Sequence, residues 1–600
     1  MIPDKPLPFN GDYASPEEYV DKLLEFVRSS EIFQILAGGV HILDFFTIEP
    51  GLFHFALPEE WQPFMLSCNI MQLLDLLMRD DLDHLTFEDN MRPPESLIEY
   101  IRTIRNLSLG RTFTPRKQKL PILPRHVAVG MKPKKIHEVT NFADYVDRLS
   151  GEISEQCDDK ISHFVDFGSG QNYLGRALAS EPYNRHVVAV EGREINVTAA
   201  RGLDISSGLA VKPKVMRNKK LWNKILETRG PEGQGDPDAL AKAIRDVAGD
   251  DAFDFRPVRE LEAEYTAEKG KGFVQYISGQ LDSGDLADVI AQIEIEKGNS
   301  SEGEKEDLKL MAVSIHSCGN LSHFGIRSIV LNPNIHAVAI VGCCYNLLTE
   351  KLGPPTYKYK HLRPTLEAIN GRPMRESEKH DPQGFPMSHR FSTYREDGIR
   401  LNITARMMAC QAPYNWSEKD SEGFFSRHFF RAVLQKIFLD RGVVKKIRHY
   451  ELDTDPDAVA SSPGQDDGES PFDISTNPVI IGSLRKSCYG SLKAYVRGAV
   501  AKLTTNEDYK QYAEVMREKM ADMADEEIER YETMYLPRKK ELCAVWSLMA
   551  FSAMAIESLI VADRWTFLQE HDDLVRHAWV ETVFDYAQSP RNLVVVGIKK

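Results

Sequence analysis

The chain has 600 residues, and its 42% apolar and 27% charged content is that of a protein folding around sizeable cores, with length for about four domain-sized units. A formal net charge of −15 excludes a molecule coated in basic surface for non-specific nucleic-acid binding, though not a local basic patch. Eight cysteines without framework spacing, and a start, "MIPDKPLPFNGDYASPEEYV", with no basic stretch before an apolar run, point to a reduced protein of the cytoplasm or nucleus.

Residues 1–110 have helical periodicity. Ser15 followed by Glu18 is a capping-box pattern, and "PESLIEYIRTIRNL" reads as the last helix of an N-terminal domain that offers packing or partner surface. Residues 111–136, "RTFTPRKQKLPILPRHVAVGMKPKKI", carry eight Lys or Arg, no acid and four prolines. This is an extended linker by composition, and its cations suit phosphates or an acidic partner.

Residues 137–211 alternate helix and strand, as a doubly wound α/β sheet does. Residues 212–271 are polar and Gly/Pro-punctuated, and read as a partly disordered insertion. The α/β rhythm resumes over 272–416 in "GFVQYISGQL", "LMAVSIHSCGNL" and "HAVAIVGCCYNLL". Residues 417–540 are a helical region with a flexible acidic loop over 453–475. Within 541–600, "LCAVWSLMAFSAMAIESLIVA" nears membrane-spanning length, but Glu557 and its serines favour a helix buried on all sides, so no membrane is expected. The closing "HAWVETVFDYAQSPRNLVVVGIKK" reads as an antiparallel hairpin around Ser589 and Pro590.

The chemistry concentrates in "HFVDFGSGQNYLGRAL". A buried strand carrying Asp166 stops at Gly168, Ser169 and Gly170, whose glycines can adopt positive φ and let backbone approach a ligand. In a dinucleotide fold a third glycine would follow, but Tyr173 stands there, with Leu174 next. That substitution disfavours a pyrophosphate and suits a nucleoside ligand without phosphates, such as S-adenosylmethionine (SAM). The second strand, "HVVAVEG", ends in Glu191, placed to accept both ribose hydroxyls of an adenosyl group; NAD would use it equally well.

Two later strands end in His316 with Cys318 and in Cys343, Cys344 and Tyr345. Three readings are open: a substrate pocket in which His316 or Tyr345 orients or deprotonates the acceptor, a soft-metal site, or packing. Neither C-x-x-C nor a spaced His pair is present, so no metal is expected. A covalent relay through Cys343 or Cys344 belongs to the first reading.

"VDFGSGQNYLGRALA", "SIHSCGNLS" and "VGCCYNLLTE", with "GMKPKKIHEV", "GFPMS", "MACQAPYNW", "IESLIVADRWTFLQE" and "SPRNLVVVGIKK", resemble the methyltransferase-like protein 25 family, which includes proteins named for a ribosomal RNA adenine dimethylase domain. The resemblance implies a class I, Rossmann-like SAM-dependent methyltransferase fold, with a seven-stranded sheet ending in an antiparallel hairpin. Carried over by position, Asp166, Gly168, Ser169, Gly170 and Glu191 would contact the cofactor, Gln280 and Leu281 would lie near adenine, and His316 would follow the fourth strand. Asn320 departs from the family, which often has an acid there. The H-x-C-G and C-C-aromatic pair is also similar to a tRNA ribose 2′-O-methyltransferase family, while no N-P-P-Y clamp for a flipped adenine is found. The resulting expectation is a methyltransferase acting on RNA or a ribosome-associated protein, reached through 111–136. A SAM-binding scaffold is the alternative, and the oligomeric state is left open.

Overall fold

The apolar runs bounded by glycine or polar turns form strands β1 (His163–Phe167), β2 (His186–Glu191), β3 (Phe273–Ser278), β4 (Leu310–Cys318) and β5 (Ile335–Cys343). A short antiparallel pair, β6 (Lys446–Arg448) and β7 (Ile474–Thr476), precedes β8 (Val575–Thr582) and β9 (Leu593–Lys599). The computed structural model describes residues 2–82, 92–157, 160–211, 219–249, 263–266, 270–279, 281–293, 308–352, 381–448, 474–476 and 478–600. Gln280 and the acidic stretch 453–473 lie outside the described residues.

Seven strands form one sheet in the order β3-β2-β1-β4-β5-β9-β8. β1 pairs in parallel with β2 and β4, β2 with β3, and β9 runs antiparallel to both β5 and β8. This is the class I methyltransferase arrangement, with the expected terminal hairpin placing one reversed strand, β9, between β5 and β8. β1 is buried along its whole length, which explains its unbroken apolar pattern around Asp166.

The chain divides into two compact units, one of residues 116–281 and 286–313, the other of 1–115, 282–285 and 314–600. In the first, the helix Tyr173–Ala179 packs against β2, β3 and the helix Pro133–Cys157. The described residues of its polar insertion include the helices Lys219–Arg229 and Pro237–Ala248. Ile225 and Ala243 are buried, so a few apolar residues at helical spacing outweigh the surrounding polarity. Asp236 caps the second helix by accepting from the Asp238 amide at 2.9 Å, with Pro237 in its first turn.

The second unit is organised around the helix Lys539–Gln569, buried at every position from Leu542 to Leu568 except Met554. Two of its serines are partnered by the N-terminal helical region: the Ser552 hydroxyl meets the Tyr100 hydroxyl at 2.7 Å, and the Leu109 amide donates to Ser558 at 2.8 Å. A helix apolar on all faces is thus covered on all faces. The Ser15 cap forms as its pattern indicated, with its hydroxyl accepting from the Glu18 amide at 3.1 Å.

Candidate functional site

In the first unit, β1 gives way to a turn with Gly168 at φ 62°, Gly170 at φ 57° and Asn172 at φ 53°. A side chain strains such backbone, which accounts for both glycines. A Cβ on Gly170 would meet nothing within 4 Å, so the space beside it is open. The Ser169 amide donates to the Val190 carbonyl at 3.2 Å, fastening the turn to β2. Glu191 lies at the tip of β2. One carboxylate oxygen accepts from the Gly170 amide at 2.8 Å and the other from the Arg193 amide at 2.9 Å. These bonds hold the carboxylate against the glycine turn, and each oxygen keeps a further lone pair.

Two other groups complete the turn. The Ser169 hydroxyl is buried and without a hydrogen-bond partner among the described residues, an orphan of the kind a ligand or water satisfies. Asp166 is 4% exposed, and burial pushes its carboxyl up to about 8, with Glu191 adding to the shift and Lys135 opposing it.

Tyr173 opens the helix Tyr173–Ala179, and its hydroxyl lies 2.6 Å from Gln171 Oε1 and 3.0 Å from the Gly130 carbonyl. The close helix–strand packing that a third glycine provides in dinucleotide folds is supplied two residues later. A Cβ on Gly175 would lie 2.9 Å from Val187 Cγ1 of β2 and collide with the Asn172 side chain. Leu174 is buried beneath the turn, and Leu281 is half-buried after β3.

Sequence reasoning missed the scaffold beneath this turn. Asn172 Nδ2 donates to the Tyr276 hydroxyl at 2.9 Å, and Tyr276 in turn donates to Asp204. Tyr265 donates to the same Asp204 oxygen at 2.8 Å, while Arg176 pairs with the other at 3.0 Å and reaches the Gln171 carbonyl at 2.9 Å. Arg176 and Asp204 are fully buried. The signal available was Tyr276 inside an apolar strand, a hydroxyl that burial obliges to find a partner.

In the second unit, His316 is half-buried near the end of β4 with φ 69°, a strained conformation for a non-glycine residue. Cys318, Cys343 and Cys344 meet, with Sγ–Sγ distances of 3.3, 3.4 and 3.5 Å. Hydrogen bonding to Cys318 and burial hold the Cys343 thiol far above its ordinary range, and burial pushes Cys344 up to about 11. Tyr345 is 2% exposed and donates to Glu557 at 2.8 Å, between the guanidinium groups of Arg564 and Arg591.

Glu557 is a hub that the sequence presented only as an interruption in an apolar run. Arg111 and Arg591 both pair with it, the latter at 2.7 Å, so the first cation of the basic linker is internal to the fold. Arg591 also binds the Gln411 carbonyl at 2.8 Å, joining the "ACQ" stretch to the terminal hairpin. Asp563 accepts from the Met387 and Ser388 amides at 2.7 and 2.9 Å and from the Ser388 hydroxyl at 2.6 Å, which explains "GFPMS". Asn320 donates to Thr349 Oγ1 at 2.6 Å and Asp381 at 2.9 Å, so an acid at 320 would face a second carboxylate.

Elsewhere in the basic run, Arg116 pairs with Asp144 at 2.8 Å and Lys135 with the buried Glu138 at 2.7 Å, in the first unit. Lys117, Lys119, Arg125 and Lys132 are exposed and make no ion pair among the described residues.

Residues 134–351 match a family model described as a methyltransferase domain. Over 292 residues the chain is 29% identical to the human protein described as "Probable methyltransferase-like protein 25", covering 48% of this chain and 37% of that protein. The mouse protein of the same description is 28% identical over 297 residues, covering 49% and 38%. The matched region thus spans well under half the length of these relatives. No solved structure matches the chain. A methyltransferase domain of class I fold therefore occupies the core of this chain, which is similar to the methyltransferase-like protein 25 proteins of human and mouse.

Proposed function

We propose that the protein transfers a methyl group from SAM to an acceptor on RNA or on a protein of the translation apparatus. The observation that carries this reading is the Glu191 carboxylate held against the Gly170 amide at the end of β1. Three features of the turn fit an adenosyl ligand: open space beside Gly170, the orphaned Ser169 hydroxyl, and spare lone pairs on Glu191 that suit ribose hydroxyls. When bound, SAM supplies an electrophilic methyl group on a sulfonium sulfur.

Glu191 and the amides of 168–170 would hold and orient the adenosyl end. Methyl transfer then asks chiefly for in-line positioning and exclusion of water, with little acid–base work. Lys117, Lys119, Arg125 and Lys132 are the cations left to meet an anionic substrate.

Calorimetric titration with SAM tests the cofactor: saturable heat is expected, and Glu191→Ala should weaken it at least tenfold. Absence of binding to the folded chain overturns the reading, and NAD recovered by mass spectrometry of co-purifying molecules replaces it. With SAM bound, labelled SAM added to a lysate from cells lacking the protein identifies the acceptor. A SAM-binding scaffold is the second reading, which silence in both RNA and protein fractions would support.

A further inference from the structure

Cys318 comes from the end of β4, and Cys343 and Cys344 from the end of β5. Their three sulfurs form a nearly equilateral triangle with edges of 3.3–3.5 Å. These edges are too long for a disulfide, whose sulfurs lie about 2.05 Å apart. They approach the face of a tetrahedron of Zn–S bonds of about 2.3 Å, which has edges of about 3.8 Å. Three neutral thiols gain little from such crowding. Three thiolates around one cation gain a great deal.

The surroundings add a second, independent observation. Arg564 is 1% exposed, and its guanidinium lies so close to Gly342, the residue before Cys343, that a Cβ there would collide with it. It donates to Ser322 Oγ at 2.5 Å, and it feels the charge of Cys343 as well as of the Asp563 and Glu557 carboxylates. Three thiolates and a divalent cation carry a net charge of minus one, which the buried guanidinium beside Cys343 would offset.

The geometry points to a metal site: Cys318, Cys343 and Cys344 bind one thiophilic d10 cation of the Zn2+ class, with a fourth position open toward exposed Cys318. Soft thiolates select such ions over Mg2+ or Ca2+. As each Sγ–metal bond forms, one thiol proton is released to solvent, and no oxidation occurs. The sequence hid this set because its ligands come from two strand ends, without the local C-x-x-C spacing of common zinc motifs.

The test uses the full chain, purified under reductant, stripped with a mild chelator and titrated with Zn2+ or Co2+. Stoichiometric Zn2+ retention is expected by elemental mass spectrometry, and Co2+ should give a thiolate charge-transfer band with intense tetrahedral d–d bands. Cys318→Ser removes a ligand at an exposed position and should weaken Zn2+ binding at least tenfold. Cys488→Ser, a half-buried cysteine outside the trio, should leave it unchanged. A folded chain that retains no Zn2+ and gives no thiolate band overturns the proposal. So does unchanged binding in Cys318→Ser, or a Cys318–Cys343 disulfide in metal-free protein kept under reductant. These readouts are independent of SAM binding and of methyl transfer.

Discussion

The Tyr173 hydroxyl lies 3.0 Å from the carbonyl oxygen of Gly130, so the residue standing in place of a third glycine reaches back to the segment before the first core helix. A Cβ at Gly130, where φ is 83°, would lie 3.0 Å from that hydroxyl, which makes the approach dependent on glycine. Tyr173→Phe should loosen residues 124–131 while leaving the sheet intact. Faster amide exchange confined to that segment is expected, with SAM affinity reduced about two- to tenfold, the range of one hydrogen bond. Unchanged exchange there would show that the contact does not order the segment.

Glu191 supports the turn as well as any ligand, because its two oxygens satisfy the Gly170 and Arg193 amides. Glu191→Ala leaves both donors without this partner and should cost about 1–3 kcal/mol in urea unfolding without SAM. Glu191→Gln keeps one acceptor oxygen and should cost less. Equal stability of Glu191→Ala and the parent would mean that water replaces both bonds at no cost.

Asp166 gives the protein a pH dependence of definite sign. Its folded carboxyl is raised from 3.8 to about 8 by burial, so the folded chain holds a proton that the unfolded chain releases. Its contribution to stability is complete below about pH 4 and is lost as pH rises to about 8. Asp166→Asn removes this titration. The melting temperature of the variant relative to the parent should climb between about pH 5 and 8, then level off. A difference independent of pH would place the carboxyl in its ordinary range.

Glu557 should be among the most sensitive positions of the second unit. Glu557→Ala strands the Arg111 and Arg591 guanidiniums and the Tyr345 hydroxyl, at a cost of about 3–5 kcal/mol. Glu557→Gln retains an acceptor for Tyr345 and should fall between the two. Denaturant midpoints measure both, and a loss below about 1 kcal/mol for Glu557→Ala would show that the cluster is solvated.

Much of this was legible in the residues. Alternation of apolar strands with helices gave β1 to β5 and the terminal hairpin, because burial on both faces of a sheet leaves a nearly unbroken apolar signal along its central strands. Gly168, Gly170 and Glu191 were legible too, since a positive-φ turn at a strand end and an acid at the next tip are local patterns. Insertion helices such as Pro237–Ala248 were harder to see, as a few buried apolar contacts stand out poorly among many polar residues.

By itself, then, the sequence determined the order of the strands' chemistry and the turn that closes the first of them, both being encoded within a few adjacent residues. Only the tertiary structure decided that Tyr173 reaches Gly130, that Glu557 gathers Arg111 and Arg591, and that Cys318 meets Cys343 and Cys344. Most of these partners are tens to hundreds of positions apart. Their pairing follows from burial, which obliges each polar group to find a partner wherever packing places one.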